Sequence, residues 1–375
     1  MISNTFTKND SVKIKGVAII LMLIHHCFLS PDRYKGQNVI FAPFSEASWN
    51  EWGLFFKICV PIFVFISAYG FTISFKNIEV NFRLSKEKVI MAIVTRYSKV
   101  ISSYMFVFVC LQIYSLILQK GRYTYIYGNK LTSIIYMCID MFGLANILGT
   151  PTFIATFWYM SFAQIVIFLV PFYIAIYKRW GGIILVTSAF LMTFLPQYKY
   201  VEFPRYLICI ALGVLCADKD FFSMLKNISC SLRGIQLCVV RIIKFIIFIL
   251  LIYEMKRLRE GELKEVLLPI FDAVIPIIII GFFIEFVNPL PVVANILEVI
   301  GKHSMNIFLI HNFIRVVWYY DFTYSFSYAG VIVLVLLGIS LLISVCLEWI
   351  KKIIHFNQIV DCVIRHIVGK YALTN

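Results

Sequence analysis

Apolar residues in this chain come in long unbroken runs rather than in alternation with polar ones. The runs fall at about 14–30, 53–75, 98–118, 156–177, 181–197, 205–217, 237–254, 267–287, 304–320 and 328–350. A membrane-spanning helix needs about 20 largely apolar residues, whereas a spanning β-strand alternates apolar and polar positions. The pattern predicts an all-α, polytopic integral-membrane helix bundle of about ten transmembrane helices. A further stretch, 131–148, is only half apolar and contains Asp140, Gly143 and Asn146. The first run follows Lys8, Lys13 and Lys15 as the core of a secretory leader would. His25 and His26 come next and no small-x-small cleavage site does, so the run is expected to be retained as the first span.

Composition agrees with the runs. The 375 residues are 61% hydrophobic and 14% charged, with a mean hydropathy of +0.87. Soluble domains are about half apolar and about a quarter charged, so a soluble enzyme and a disordered chain are both excluded. The net charge of +14 is read as basic inner loops and not as a nucleic-acid surface. If 131–148 does not span and the amino terminus is cytoplasmic, 21 of the 34 Lys and Arg residues lie inside. The positive-inside rule then places both termini in the cytoplasm of a cell with this protein in its plasma membrane, and 119–155 outside. The ten cysteines are scattered, several of them in apolar runs (Cys59, Cys110, Cys209, Cys346), with no CxxC pair. Neither a disulfide framework nor a metal site is indicated. Beyond Ile350 the apolar residues recur at a helical period between Lys351, Lys352, Asp361, Arg365 and Lys370. The chain is thus expected to divide into a membrane-embedded unit, 1–350, and an amphipathic tail, 351–375, lying on the inner surface.

Polar side chains inside spans are costly and are therefore candidates for chemistry. His26 lies eleven residues after Lys15, about 16 Å along a helix, near or just past mid-membrane. An imidazole is readily tuned as a base near neutral pH, although a histidine bonded to a neighbouring helix would occupy the same place. Adjacent helical positions point about 100° apart, so His25 and His26 cannot share one role.

Lys15, Gly16, the apolar run after them and His26 resemble the first span of the acyltransferase-3 family, bacterial membrane O-acyltransferases that decorate surface sugars. That pattern has a basic residue, usually Arg, then Gly, then a histidine eleven positions after the basic residue. The spacing selects His26 rather than His25, with Lys15 in the place of the usual Arg. Further matches follow in order. Phe63 to Phe71, with Ser67 and Ala68, is similar to the apolar run into Ser-Gly-Phe. Arg96, Lys99 and Ser102 resemble the opening of the third span, and Trp158 with Ser161 that of the fourth. Ala163 stands where a Glu is frequent. Gly301 with Ser304, and Ile307 to His311, resemble the late Gly-x-x-Ser and Tyr-Leu-x-His pattern.

The resemblance implies transfer of an acetyl or other acyl group from acetyl-CoA, with no metal, to a hydroxyl of a cell-surface polysaccharide or its lipid-linked precursor. His26 would be the general base on the acceptor hydroxyl or a transient acyl carrier. Lys15, Arg96 and Lys99 would meet the phosphates of coenzyme A at the inner ends of spans one and three. Trp158, His311 and Ser67 would help hold substrate. Read from the residues alone, each has a plainer alternative: Trp158 as an interfacial anchor, Ser67 as a helix-packing residue, Arg96 and Lys99 as inner-loop cations, His311 as a structural contact. A transporter or flippase of a lipid-linked sugar would also explain many spans and buried histidines. Transporters often carry inverted repeats, and the chain shows no such symmetry.

Overall fold

A computed structural model describes residues 6–78, 86–194, 203–227, 233–261 and 264–373. The described residues are mostly helical and contain no strand; a single parallel bridge joins Ile40 and Tyr328. The helices are α1 Lys8–Phe28, α2 Glu46–Phe55, α3 Cys59–Ile78, α4 Lys86–Leu118, α5 Arg122–Tyr127, α6 Thr132–Met141, α7 Ala145–Leu148 and α8 Trp158–Met192. They continue with α9 Leu207–Asp218, α10 Phe221–Asn227, α11 Gly234–Glu260, α12 Lys264–Phe282, α13 Pro291–Lys302, α14 Ser304–Asn312, α15 Tyr320–Tyr324, α16 Ala329–Ile353 and α17 Phe356–Leu373.

Seven helices among the described residues are long and apolar enough to cross a membrane, or eight if a bent pair is one span. Two features account for the difference from the ten apolar runs. The run 156–177 and the part of 181–197 up to Met192 form two helical segments that meet at a kink at Gly181, φ +83°, and count together as α8. The run 205–217 makes only the 12-residue α9, about 18 Å long against a hydrocarbon core of about 30 Å. The bent pair is 291–302 with 304–318, meeting at 67°.

Helix α1 is the central post and packs against α13, α3, α2, α14 and α16. Its start is fixed by a capping box: Thr7 Oγ1 accepts from the Asp10 N–H at 3.1 Å, and Asp10 Oδ2 accepts from the Thr7 N–H at 2.9 Å. The crossing with α13 is backbone on backbone. A Cβ at Gly16 would lie 2.1 Å from the Leu297 carbonyl oxygen, and one at Gly301 would lie 1.8 Å from that of Val12. Only glycine allows this approach, which locks α1 to α13 at the end where α1 begins.

Acidic side chains in the spans are spent on cations. Asp272, fully buried, meets Arg205 Nε at 2.5 Å and Arg259 Nε at 3.1 Å, and Arg259 Nη1 also donates to the Phe55 carbonyl at 2.8 Å. This ties the turn before α9 to α11, α12 and α2. Removing one member of such a buried cluster typically costs about 3–5 kcal/mol. Glu285 meets Lys244 at 3.0 Å, and Glu348 accepts from Lys351 and Asn306, both at 2.8 Å. Helix α11 leans on α12 and leaves most of its apolar surface, including Ile242, Phe245 and Ile246, uncovered, as a lipid-facing helix does. The tail helix α17 packs along α4, with Phe356 on Phe106 (centroids 5.1 Å apart) and Lys99 on Asp361 at 3.2 Å.

Candidate functional site

Three cavities meet inside the bundle around Ser67. The first, about 210 Å³, lies beside His25 and His26 and is walled by Phe63, Trp158, Tyr159 and Phe308. The second, about 320 Å³, lies toward the start of α1 and carries Lys8, Lys15, Tyr69, Ser74 and Arg96. Lys15 and Ser67 line both. The third, about 60 Å³, branches off at Ser67 between α3, α4 and α8. Helical geometry explains why Lys15 and His26 belong to one wall. Eleven residues are almost three full turns at 3.6 per turn, so the two side chains stand on one face of α1 about 16 Å apart.

At the far end of that wall two imidazoles lie side by side. The rings of His26 and His311 have centroids 4.9 Å apart and are tilted by 39°. His311 Nδ1 lies 2.8 Å from the Phe308 carbonyl and 3.1 Å from that of Ile307. A carbonyl oxygen only accepts, so Nδ1 carries the proton and Nε2 offers a lone pair. Nε2 of His311 is buried with no partner, and so is Nδ1 of His26. Buried polar atoms are nearly always satisfied, and two unsatisfied ring nitrogens on adjacent rings mark a place where a proton can be taken up or passed. His25 differs, because its Nδ1 donates to the Gly53 carbonyl at 2.8 Å. It ties α1 to α2.

The other predicted residues separate. Arg96 reaches the Ser67 carbonyl at 3.4 Å, and its guanidinium stands 4.7 Å over the Phe71 ring. Lys15 has no hydrogen-bond or ion-pair partner among the described residues. Together with Lys8 these groups make a basic vestibule. Lys99, one turn from Arg96, points elsewhere: it is more than half exposed, pairs with Asp361 of the tail and lines none of the three cavities. Trp158 opens α8 and lies nearly parallel to Phe162, centroids 6.1 Å apart. Ser304, which starts α14 just past the bend, also lines the first cavity. Among the described residues no three His, Cys, Asp or Glu side chains gather as metal ligands would.

The segment before Trp158 is anchored by Asp140 and by α8. Asp140 accepts from the Tyr127 hydroxyl at 2.7 Å, the Thr152 hydroxyl at 3.0 Å and the Phe153 N–H at 2.5 Å. Burial nonetheless pushes its carboxyl up to about 6. Ser161 and Gln164 donate to the Gly143 carbonyl at 2.5 and 3.0 Å, which gives the Trp-Tyr-Met-Ser motif a plain docking role. One residue escaped the sequence reading. Arg315 is a charge inside the last but one apolar run and is 2% exposed. It lies in a π-helical turn, 313–318, and donates to Asn312 Oδ1 at 3.0 and 2.9 Å and to the Tyr324 hydroxyl at 3.4 Å. The signal was visible, since a cation within an apolar run is rare without a use.

No curated protein and no solved structure shows a significant match to the chain. The profile of the acyltransferase-3 family, described as an acyltransferase domain, matches residues 13–349. That stretch runs from the first turns of α1 to near the end of α16 and stops before α17. It contains Lys15 and Arg96 of the basic vestibule, both imidazoles and the two glycines of the α1–α13 crossing. The chain therefore belongs to the acyltransferase-3 family of membrane acyltransferases.

Proposed function

We propose that this protein moves an acetyl group from acetyl-CoA, presented on the cytoplasmic side, to a sugar hydroxyl of a cell-surface polysaccharide or its lipid-linked precursor. The observation that carries this reading is the joined pair of cavities. One is basic and opens toward the start of α1; the other is lined by His26, whose ring lies against that of His311 behind it. Lys8, Lys15 and Arg96 would hold the donor's phosphates through charge-assisted bonds. The slim pantetheine arm would pass Ser67 and bring the thioester carbonyl beside His26. Trp158 would offer the acceptor sugar an aromatic face. His26 removes the hydroxyl proton as oxygen attacks the carbonyl carbon. The carbon–sulfur bond then breaks, the proton passes to the departing thiolate, and the products are the ester and free coenzyme A. A positioned base contributes about 10²–10⁴-fold. His311 Nε2, with its lone pair turned to the same place, would steady the protonated His26.

The test is transfer of labelled acetyl from acetyl-CoA into glycan in membranes that carry the protein. His26→Gln keeps size and polarity but cannot carry the proton. Its transfer should fall at least about 100-fold, while His25→Gln keeps a substantial part. Normal transfer by His26→Gln would overturn the base assignment. Uptake of glycan precursor without donor would favour the transporter reading. A cysteine placed at Asn129 should label from outside the cell if both termini are cytoplasmic.

A further inference from the structure

Threonines inside the helices of this chain bond back to the preceding turn. Thr72 donates to the Ala68 carbonyl at 2.8 Å, Thr187 to that of Ile183 at 2.9 Å and Thr323 to that of Tyr319 at 2.8 Å. Such back-bonding is the ordinary fate of a helical threonine. Thr156 has no such recourse. It lies in a short 3₁₀ turn, 155–157, entered from the extended residue Ile154, φ −152° and ψ 142°. No helical turn precedes it, so no carbonyl stands in line four residues back. Its Oγ1 is buried without a partner, and the residue is only 8% exposed. The flanking threonine and serine are both bonded, Thr152 to Asp140 and Ser161 to the Gly143 carbonyl.

Thr156 also lines the cavity beside His26. The partnerless hydroxyls of Ser115, Ser133, Thr150 and Ser340 line none of the three cavities. Among the described residues that hold a buried partnerless polar atom, only His26 and Thr156 line this one. Nothing tethers the Thr156 hydroxyl, so rotation about Cα–Cβ alone exchanges it with the methyl and turns it to the cavity. One water-sized group takes about 10–15 Å³ of such space. The 210 Å³ or so of this cavity therefore holds about 14–21 such groups, enough for one sugar ring of about a dozen heavy atoms beside a thioester carbonyl. A hydroxyl that meets Thr156 thus belongs to the same sugar as the hydroxyl that meets His26.

We infer that Thr156 positions the acceptor: its hydroxyl bonds a second, free hydroxyl of the sugar that His26 activates. This rests on the reading of His26 and the donor given above. A threonine hydroxyl both donates and accepts, so it matches a sugar hydroxyl in either sense. A ring held at that point and against Trp158, two residues on, presents one defined oxygen to the base. The acceptor class that follows is a sugar with at least two free hydroxyls, one acylated and one held.

The experiment is labelled acetyl transfer from acetyl-CoA into glycan in membranes that carry the full chain, read beside thermal melting in detergent. Thr156→Val keeps the shape and removes the hydroxyl. Transfer should fall about 5–150-fold, the loss expected when a buried hydroxyl of the sugar is left without its partner. The acetyl-CoA concentration for half-maximal transfer should not move. The melting temperature should hold level or rise, because a partnerless buried hydroxyl has been removed. Thr156→Ser restores the hydroxyl and should recover most of the transfer. A hydroxyl that served only the fold would lower melting and transfer together, and that result would overturn the inference. Normal transfer by Thr156→Val, a raised donor requirement, or a Thr156→Ser protein no better than Thr156→Val would each overturn it as well, with the donor reading intact. No transfer from acetyl-CoA by the wild type would overturn the donor reading itself and the acceptor contact with it.

Discussion

The α1–α13 crossing gives a prediction whose size follows from distances. In Gly301→Ala the new Cβ would meet the Val12 carbonyl oxygen at 1.8 Å. Contacts under 3.0 Å are essentially absent from real structures, so the helices must separate by at least about 1.2 Å. Nothing flexible can absorb the shift, because the obstructing atom is backbone. Overpacking in a rigid core costs about 1–3 kcal/mol, occasionally more, and this case should sit at or above the upper end. Gly16→Ala meets the Leu297 carbonyl at 2.1 Å and should cost somewhat less. The displacement also carries the wall of α1 that holds Lys15 and His26. A misplacement near 1 Å can cost about 100-fold in rate, so transfer should fall further than stability alone accounts for. Gly338→Ala in α16 is the internal standard: a Cβ there meets nothing within 4 Å, and helix propensity favours Ala by about 0.8–1 kcal/mol. Thermal unfolding in detergent, read beside acetyl transfer, should place the two variants on opposite sides of the wild type. Equal stability of Gly301→Ala and Gly338→Ala would refute the close crossing and the reason given for both motif glycines.

Three further outcomes are expected. Arg96→Ala should raise the donor concentration needed for half-maximal transfer, whereas Lys99→Ala, which breaks only an exposed ion pair worth about 0–1 kcal/mol, should leave it unchanged; an equal rise in both would restore Lys99 to the donor site. Asp140 has a carboxyl raised from 3.8 to about 6 in the folded protein, so its contribution to stability is complete below about pH 4 and is lost as pH rises through about 6, up to about 3 kcal/mol; thermal melts from pH 4 to 7.5 should show this decline in the wild type but not in Asp140→Asn, and parallel curves would exclude it. Arg315→Met should release Asn312 Oδ1 into a buried site without a donor, at about 1–3 kcal/mol, with lower transfer at unchanged donor affinity; a raised donor requirement would instead move Arg315 to the donor side.

What could be read from the sequence, and what could not, divides along the helix axis. Relations within one helix were legible, because rise and rotation per residue are fixed. Lys15 to His26 is a distance and a shared face before any fold is known, and the long runs declare themselves as spans. Relations between helices were hidden. Nothing in the sequence says that Gly16 meets Leu297, that His311 faces His26, or that Lys99 turns to Asp361 while Arg96, three residues earlier, turns to Ser67. The break at Gly181 shows a different limit. Two apolar runs separated by Lys178, Arg179 and Trp180 read as two spans, and hydropathy carries no record of whether a glycine between them turns the chain back or only bends it. Arg315 was legible and passed over, since its neighbours are apolar enough to mask one charge in a window average.

The sign of the charges along the joined cavities has a consequence for the membrane itself. A passage that reaches from one face of a bilayer toward the other invites a leak of protons or metal cations down the membrane potential. Among the described residues the charged side chains that line these spaces are Lys8, Lys15, Lys57 and Arg96, and no described carboxylate lines them. A cation entering these cavities meets fixed positive charge in a medium of low dielectric, where repulsion is strong. The groups suited to draw a polyanionic donor inward would therefore also act as an electrostatic plug that helps to keep the membrane insulating.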